Sequence, residues 1–189
     1  MTAALQPSFL TSDQEASPTA GNRFDSTEFG VVYFGTTQEC CFGETLARFR
    51  PSLQLAEMVK DDWKQFMHPG QLPADWRDRR AMVRAVAAPQ EVFLDVEAIK
   101  TREYLQKHLA LGLSALGASD LDVSVIRGHD RRVTRLISAW AYHAVDEDGI
   151  ARYAGVRYLS RLNTDWECWA AFDDLLYVGD AVNSEPIAA

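Results

Sequence analysis

The chain has 189 residues, of which 47% are hydrophobic and 24% are charged. This composition indicates one globular domain and excludes a mainly disordered chain. Lys and Arg number 19 and Asp and Glu number 27, so the net charge is −8 at pH 7, which disfavours nucleic acids and anionic membrane surfaces as partners. A local group of arginines remains compatible with a small anionic ligand, because a pocket responds to the residues that line it.

Signals for targeting and for metal binding are absent from the sequence. The first 21 residues contain no Lys or Arg and no continuous apolar stretch, so we predict no secretory signal. No apolar run reaches the roughly 18–20 residues of a membrane helix, and a cytoplasmic location is expected. The three cysteines and four histidines lack the spacing of zinc ligands, so no metal is expected.

The first predicted elements are a strand and a helix. Residues 31–34, a β-branched and aromatic run between two glycines, predict a buried strand. A helix is predicted over residues 39–49, with Thr36 or Thr37 as its N-cap. Residues 53–89 are broken by prolines and glycine and indicate no clear chemistry.

The second half of the chain contains clearer periodic patterns. Residues 91–96 predict another strand, and residues 99–116 predict an amphipathic helix. A further helix is predicted over residues 131–143, where apolar residues recur at the spacing of a helix buried on one side. Residues 155–159 and 167–172 predict two strands joined by a turn.

The order of these elements predicts a single α+β domain. Strands and helices are intermixed without regular βαβα alternation, and no repeat of fixed period is present. Residues 1–21, rich in Ser, Thr, Ala and Pro, predict a loose N-terminal arm. The domain is expected to span residues 22–180, with residues 181–189 as a tail.

Five residues are candidates for chemistry: Arg23, Tyr33, Glu44 in the middle of a helix, and Ser160 followed by Arg161. Taken one at a time, each is most simply a surface arginine, a core tyrosine, a water-facing glutamate or a turn residue. Their order and spacing along the chain are more informative than any single residue.

Seven short segments carry this order. Arg23 lies in the first, Tyr33 precedes Glu44 by eleven positions, and Ser160 lies in the next to last. The segments are residues 22–25, 31–34, 44–47, 130–134, 140–142, 158–161 and 169–172. Together they resemble the RES domain, the toxin half of a family of bacterial toxin and antitoxin pairs. In that family an arginine, a tyrosine and a glutamate line one pocket, and a serine is the last of the three residues that give the family its name.

The resemblance implies a fold related to ADP-ribosyltransferases, in which helices surround a split β-sheet core that binds NAD in a cleft. The implied activity is cleavage of the bond between nicotinamide and ribose by hydrolysis or phosphorolysis, with NAD as the substrate. Glu44 is expected to stabilise the positive charge that develops on the ribose, as in glycoside hydrolysis. Two further residues are expected to act with it, Arg23 on the pyrophosphate and Tyr33 on the nicotinamide or ribose through its ring and hydroxyl. Ser160 is expected to bond the nicotinamide-side ribose or the carboxamide of NAD, and Arg161 either adds a phosphate contact or pairs with an acid.

The resemblance also implies a growth-arresting toxin that an Xre-type antitoxin neutralises in a hetero-oligomer. Two alternatives stay open: a protein ADP-ribosyltransferase with the same pocket, and a catalytically silent RES-like protein that only binds NAD or a partner. The chain departs from the family at one point, since members commonly carry a further arginine near the start of the domain and residues 1–22 contain none. Either the arm is remodelled, or Arg48 or Arg161 substitutes for that arginine, or the protein is silent.

Overall fold

Strands and helices alternate irregularly along the chain in the computed structural model, which describes residues 5–58, 70–73, 75–176 and 183–186. The strands are β1 (Val31–Gly35), β2 (Ala81–Arg84), β3 (Phe93–Asp95), β4 (Gly155–Leu159), β5 (Glu167–Phe172) and β6 (Asn183–Pro186). The helices are α1 (Gln38–Leu46), α2 (Leu53–Met58), α3 (Asp75–Asp78), α4 (Ile99–His108), α5 (Ala110–Ala115), α6 (Val123–Arg127) and α7 (Arg131–His143). Every helix within the described ranges falls short of the length and apolar character that a membrane crossing requires.

A mixed sheet of four strands, in the order β1-β5-β4-β3, forms the centre of the fold. β5 pairs antiparallel with β1 and with β4, whereas β4 and β3 are parallel. β2 and β6 form a separate antiparallel pair. The mixture of helices with a sheet of both pairings confirms the predicted α+β class.

The most periodic predictions are confirmed closely. The structure contains the predicted helix over Arg131–His143 and the predicted strands over Gly155–Leu159 and Glu167–Phe172. Of the two candidate N-caps of α1, Thr37 is the one used, because its side chain accepts a hydrogen bond from the Cys40 amide. The last residues of this predicted helix, Ala47–Phe49, form a 3₁₀ turn that continues α1.

One predicted helix is divided in two. The helix expected over residues 99–116 breaks at Leu109, whose φ of −104° and ψ of 13° lie outside helical values. The break lets α5 lie close to α7, where a Cβ on Gly112 would come within 2.7 Å of a Leu136 side-chain carbon. The prediction of one continuous helix was therefore wrong because tertiary packing overrides the local pattern.

The main core lies between the inner face of the sheet and α7. Val133, Ile137 and Ala141 recur every four residues along α7 and are all buried. They belong to the same apolar cluster as Val156 and Phe172 of the sheet. Burial of each large apolar side chain contributes about 1.5–3 kcal/mol to stability. Helix α7 and the sheet therefore form a stable base for the loops at the strand ends.

The segment predicted as a loose arm contacts this base. Leu10 is buried, and the buried Arg135 side chain of α7 donates hydrogen bonds to three carbonyl oxygens of the arm, those of Glu15, Ser17 and Ala20. The arm has little regular structure in its described residues, but these contacts fix the path by which the chain reaches Arg23. The end of the predicted domain and most of the predicted tail lie outside the described residues.

The tight approach of β4 to β5 gives the first testable prediction. A Cβ on Gly155 would lie 2.3 Å from the Ala170 carbonyl oxygen, and a backbone atom inside a sheet has little freedom to move. We expect Gly155→Ala to lower the free energy of unfolding by about 1–3 kcal/mol, measured by urea denaturation followed by circular dichroism. Ser114→Ala, at an exposed position of α5, is the control and should change it by less than about 0.5 kcal/mol. An unchanged urea midpoint for Gly155→Ala would contradict the rigidity of this contact.

Candidate functional site

A cleft of about 640 Å³ opens where β1 leads into α1, β4 ends and α7 begins. Four of the five residues singled out in the sequence line it, namely Arg23, Tyr33, Glu44 and Arg161. The fifth, Ser160, is buried and hydrogen-bonded to Glu44. The structure therefore brings all five residues together, although they are spread over most of the chain.

A larger groove, of about 1460 Å³, lies along the outer face of the sheet. Arg157, one of the arginines that line it, is neutralised by ion pairs with Asp95 at 2.9 Å and with Glu167 at 2.6 Å. Of the five residues singled out, this groove contains only Tyr33. The smaller cleft is therefore the candidate site.

The Glu44 carboxylate is oriented by Ser160. The Ser160 hydroxyl donates a hydrogen bond to Glu44 Oε1 and accepts one from the Leu162 amide at 2.9 Å. Ser160 is only 1% exposed, so the surrounding structure fixes its position. The Glu44 side chain is exposed, and no donor from the described ranges is bonded to its Oε2 atom. One carboxylate oxygen is thus anchored while the other faces the cleft.

Arg23 is anchored by backbone carbonyls at the end of α6. Its guanidinium donates to the carbonyl oxygens of Ile126, Gly128 (3.4 Å) and Arg127 (3.5 Å). Burial lowers the pKa of Arg23, and the nearby positive charges of Arg161 and Arg131 lower it further. Because a guanidinium has five N–H donors, donors remain for a ligand after the carbonyls are satisfied.

Tyr33 uses its hydroxyl group within the protein. The hydroxyl donates to Asp25 Oδ1 at 2.8 Å and accepts from the Phe24 amide at 3.0 Å. Burial raises the pKa of Tyr33 well above its usual value, and the adjacent Asp25 carboxylate raises it further. A ligand in the cleft would therefore meet the ring of Tyr33, while the Tyr33 hydroxyl stays hydrogen-bonded to Asp25.

Asp25 connects the arm to the cleft. It is 1% exposed and accepts hydrogen bonds from the Ser8 hydroxyl at 2.8 Å and the Asn22 amide at 2.6 Å, in addition to the bond from Tyr33. A buried carboxylate needs such donors to offset its desolvation. Asp25 thus fixes the segment that carries Arg23 relative to β1.

The cleft wall is positively charged despite the acidic composition of the chain. Arg48, Arg131 and Arg161 line it together with Arg23, and none of these four makes an ion pair with another described residue. Arg161 donates instead to His129 Nδ1 at 3.2 Å. Glu44 is the only carboxylate among the described residues of the lining. The cleft therefore attracts anions.

Sequence reasoning assigned no role to Tyr158, His129 or Arg131. Tyr158 lines the cleft, is 7% exposed and packs on Phe24 with ring centroids 4.9 Å apart. Burial raises its pKa well above the usual value, and the neighbouring Cys168 and Glu44 raise it further. Tyr158 precedes Ser160 by two positions at the end of β4, so the two share a strand face; this was the available signal. Nothing in the sequence pattern indicated the direction of the other two side chains.

The arrangement suits a particular kind of ligand. The exposed Glu44 carboxylate lies in the same cleft as the Tyr33 ring and guanidinium groups that form no ion pair with another described residue. One guanidinium group can bind two phosphate oxygens through two parallel hydrogen bonds. A fixed carboxylate stabilises positive charge that develops nearby. The described residues contain no group of three or more His, Cys, Asp or Glu side chains placed to hold a metal ion.

Comparison with known proteins identifies one family. The family model described as RES domain matches residues 5–186, a range that contains every residue lining the cleft. Searches of curated proteins and of solved structures gave no match.

The bonds made by Asp25 give the second prediction. Asp25→Ala leaves the Tyr33 hydroxyl, the Ser8 hydroxyl and the Asn22 amide without their acceptor. An orphaned group that is shielded from water, as the Tyr33 hydroxyl is, costs about 1–3 kcal/mol. We expect the free energy of unfolding to fall by at least about 2 kcal/mol, measured by urea denaturation. Asp13→Ala, which removes an exposed carboxylate from the same arm, should have little effect. Equal stability of the two variants would show that the arm is not held through Asp25.

Proposed function

This chain belongs to the RES domain family, and on that basis we propose that it cleaves the bond between nicotinamide and ribose in NAD. Membership supports an NAD-related, toxin-like domain, and the specific reaction is our proposal. The observation that carries it is the Glu44 carboxylate, oriented by Ser160 in a cleft lined by arginines that are not ion-paired with any other described residue.

The proposed reaction requires a negative charge close to the sugar. As the bond lengthens, nicotinamide leaves with the bonding electron pair, and positive charge develops on the ribose. Water, or inorganic phosphate, then adds to the same ribose carbon; with water the products are nicotinamide, ADP-ribose and a proton. Glu44 Oε2 would stabilise the positive charge more strongly in the transition state than in bound NAD, which is the condition for a faster reaction.

We assign the arginines of the cleft to the pyrophosphate of NAD. The pyrophosphate of NAD carries two negative charges, which guanidinium groups bind with charge-assisted hydrogen bonds. Arg131 and Arg161 are free of ion pairs with described residues, and Arg23 keeps donors beyond its carbonyl bonds. The cleft of about 640 Å³ lies within the range of about 300–1,000 Å³ typical of small-molecule sites.

The cleft also bears on the missing arginine of the arm. Residues 1–22 contain no arginine, but Arg48, Arg131 and Arg161 reach the cleft from other elements. We propose that these residues supply the phosphate contacts in its place. This favours an active enzyme over a silent NAD-binding protein.

The proposed biological role is that of a toxin that depletes NAD and arrests growth. An Xre-type antitoxin would neutralise it in a hetero-oligomer, with a segment that covers the cleft. The cationic lining predicts that this segment carries acidic or other acceptor groups, because an unpaired guanidinium is costly to bury.

Replacement of Glu44 by Gln tests the reaction. Glu44→Gln keeps the side-chain shape but removes the negative charge, so nicotinamide release should fall by about 10²–10³-fold, measured by chromatography with and without phosphate. NAD binding, measured by calorimetry, should be retained. Glu39→Gln is the matched control, since Glu39 is exposed in the first turn of the same helix and does not line the cleft.

Each outcome of this experiment separates two functions. Undiminished release by Glu44→Gln would remove Glu44 from the reaction, and a phosphate requirement would identify a phosphorylase. ADP-ribose that appears on protein, with labelled NAD, would identify a transferase. Binding of NAD without any release by the wild-type protein would identify a silent binder.

Replacement of two arginines that line the cleft tests how the protein binds NAD. Arg131→Gln or Arg161→Gln removes a charge-assisted hydrogen bond, so KM for NAD should rise about tenfold or more while kcat changes little. Steady-state kinetics at low and high salt checks this, and the salt dependence of KM should weaken in both variants. Arg152→Gln, at an exposed position away from the cleft, is the control. A loss of kcat at constant KM would mean that the arginine acts on the transition state instead.

A further inference from the structure

Glu97 lies behind the cleft, in the short connection between β3 and α4, and does not line the cleft. Its side chain is 10% exposed, and its carboxylate accepts three hydrogen bonds. Oε1 accepts from the Leu159 amide at 3.0 Å and from Arg127 Nε at 3.2 Å. Oε2 accepts from an Arg127 terminal nitrogen at 2.7 Å. One largely buried carboxylate therefore joins two segments of the chain.

The first segment is the one that holds Arg23. The two-point bond with Glu97 fixes the Arg127 side chain in a planar, fork-like geometry. The backbone carbonyls of Arg127 and of its two neighbours in sequence accept the hydrogen bonds from the Arg23 guanidinium. The position of the Arg23 guanidinium thus depends on a loop that Glu97 restrains.

The second segment is the end of β4, which positions Ser160. The parallel pairing of β3 with β4 ends at the Asp95 and Arg157 pair, and one further backbone bond joins the Val96 amide to the Arg157 carbonyl. The amide of Leu159 lies beyond this ladder, and the Glu97 carboxylate takes the place of a strand carbonyl as its acceptor. Ser160 follows directly and donates to Glu44.

We propose that Glu97 is a positioning residue that sets the distance between the Arg23 wall of the cleft and the wall formed by Ser160 and Glu44. The kinetic part of this inference rests on the proposed function; the geometric part does not. The exposed contact between Arg161 and His129 also joins the two walls, from the cleft side. Glu97 joins the walls from outside the cleft, where its ion pair with Arg127 is largely buried and therefore less screened by dissolved salt.

Kinetics of Glu97 variants test the consequence for the reaction. In Glu97→Ala both walls lose their common restraint, and kcat for nicotinamide release should fall at least about tenfold, because small displacements of catalytic groups are costly. Glu97→Gln keeps an oxygen acceptor for the Leu159 amide but loses the charge that holds Arg127, so its kcat should lie between those of the wild-type protein and Glu97→Ala. Thermal melting must show that each variant is folded at the assay temperature.

Glu167 provides a matched control. It pairs with Arg157 at 2.6 Å and is partly buried at 30% side-chain exposure, but on the outer face of the sheet. Glu167→Ala should therefore leave kcat unchanged at comparable loss of stability. If Glu97→Ala and Glu167→Ala reduce kcat equally, or if kcat falls only in proportion to the unfolded fraction, the role of Glu97 is merely structural and the proposal is overturned.

Hydrogen exchange tests the geometry without any activity. The Leu159 amide should exchange at least about tenfold faster in Glu97→Ala than in the wild-type protein, because its acceptor is gone, and should keep its wild-type rate in Glu167→Ala. This is measured by NMR on the intact chain. Unchanged exchange at Leu159 overturns the proposal even if kcat falls. If the wild-type protein releases no nicotinamide, the proposed function fails, and exchange alone decides whether Glu97 joins the two walls. If Glu97→Ala does not fold, Glu97→Gln decides by kcat, which should fall below the wild-type value because the charge that holds Arg127 is lost; an unchanged kcat overturns the proposal. Exchange at Leu159 is not used for this variant, because the Gln oxygen still accepts that bond.

Discussion

The hydrogen bond from Ser160 to Glu44 is the contact on which the geometry of the cleft depends. It joins α1 to the end of β4, two elements that the chain forms 116 positions apart. They meet because β5 pairs with both β1 and β4. The strand that leads into α1, β1, is therefore separated from β4 by β5 alone. A change in strand order would separate the two residues even if every helix and strand formed as before. The sheet topology is therefore a requirement of the site as well as of the core.

The charge of the cleft lining is opposite in sign to the net charge of the chain. The chain has a net charge of −8, yet the described lining of its cleft combines four arginines, none of them ion-paired with another described residue, with one carboxylate, that of Glu44. Four described arginines outside the cleft have carboxylate partners, among them Arg127 with Glu97 and Arg157 with Asp95 and Glu167. Burial is the main cause of the lowered pKa of Arg23, and the positive charges of Arg161 and Arg131 nearby lower it further. An anionic ligand would supply counter-charges that the described residues do not provide.

The sequence predicted those parts of the fold that local patterns determine. The α7 helix and the β4 and β5 strands were predicted with their ends because each has a complete period of buried residues and clear flanking signals. The break at Leu109 was not predictable, since it arises from the approach of α5 to α7 at Gly112. Short elements such as α3 and β2 also escaped prediction, because too few residues form a recognisable period.

The candidate site was predictable to a similar degree and for similar reasons. The order of Arg23, Tyr33, Glu44 and Ser160 along the chain pointed to one family, and the family match includes all of them. Their partners did not follow from the sequence, because a hydrogen bond such as that from Tyr33 to Asp25 depends on two segments meeting in space.

Exposure separates two kinds of residue in and around the cleft. Asp25, Ser160 and Glu97 are at most 10% exposed and have their hydrogen bonds satisfied by the protein. Glu44 and Arg161 are exposed, and each keeps polar atoms that are not hydrogen-bonded to another described residue. Buried polar groups are fixed because each lost bond is expensive in a medium of low polarity, whereas exposed groups can exchange water for a ligand at little cost. The buried residues therefore determine the positions of the exposed ones. A substitution of a buried residue should change ligand binding only by displacing the exposed residues that it positions.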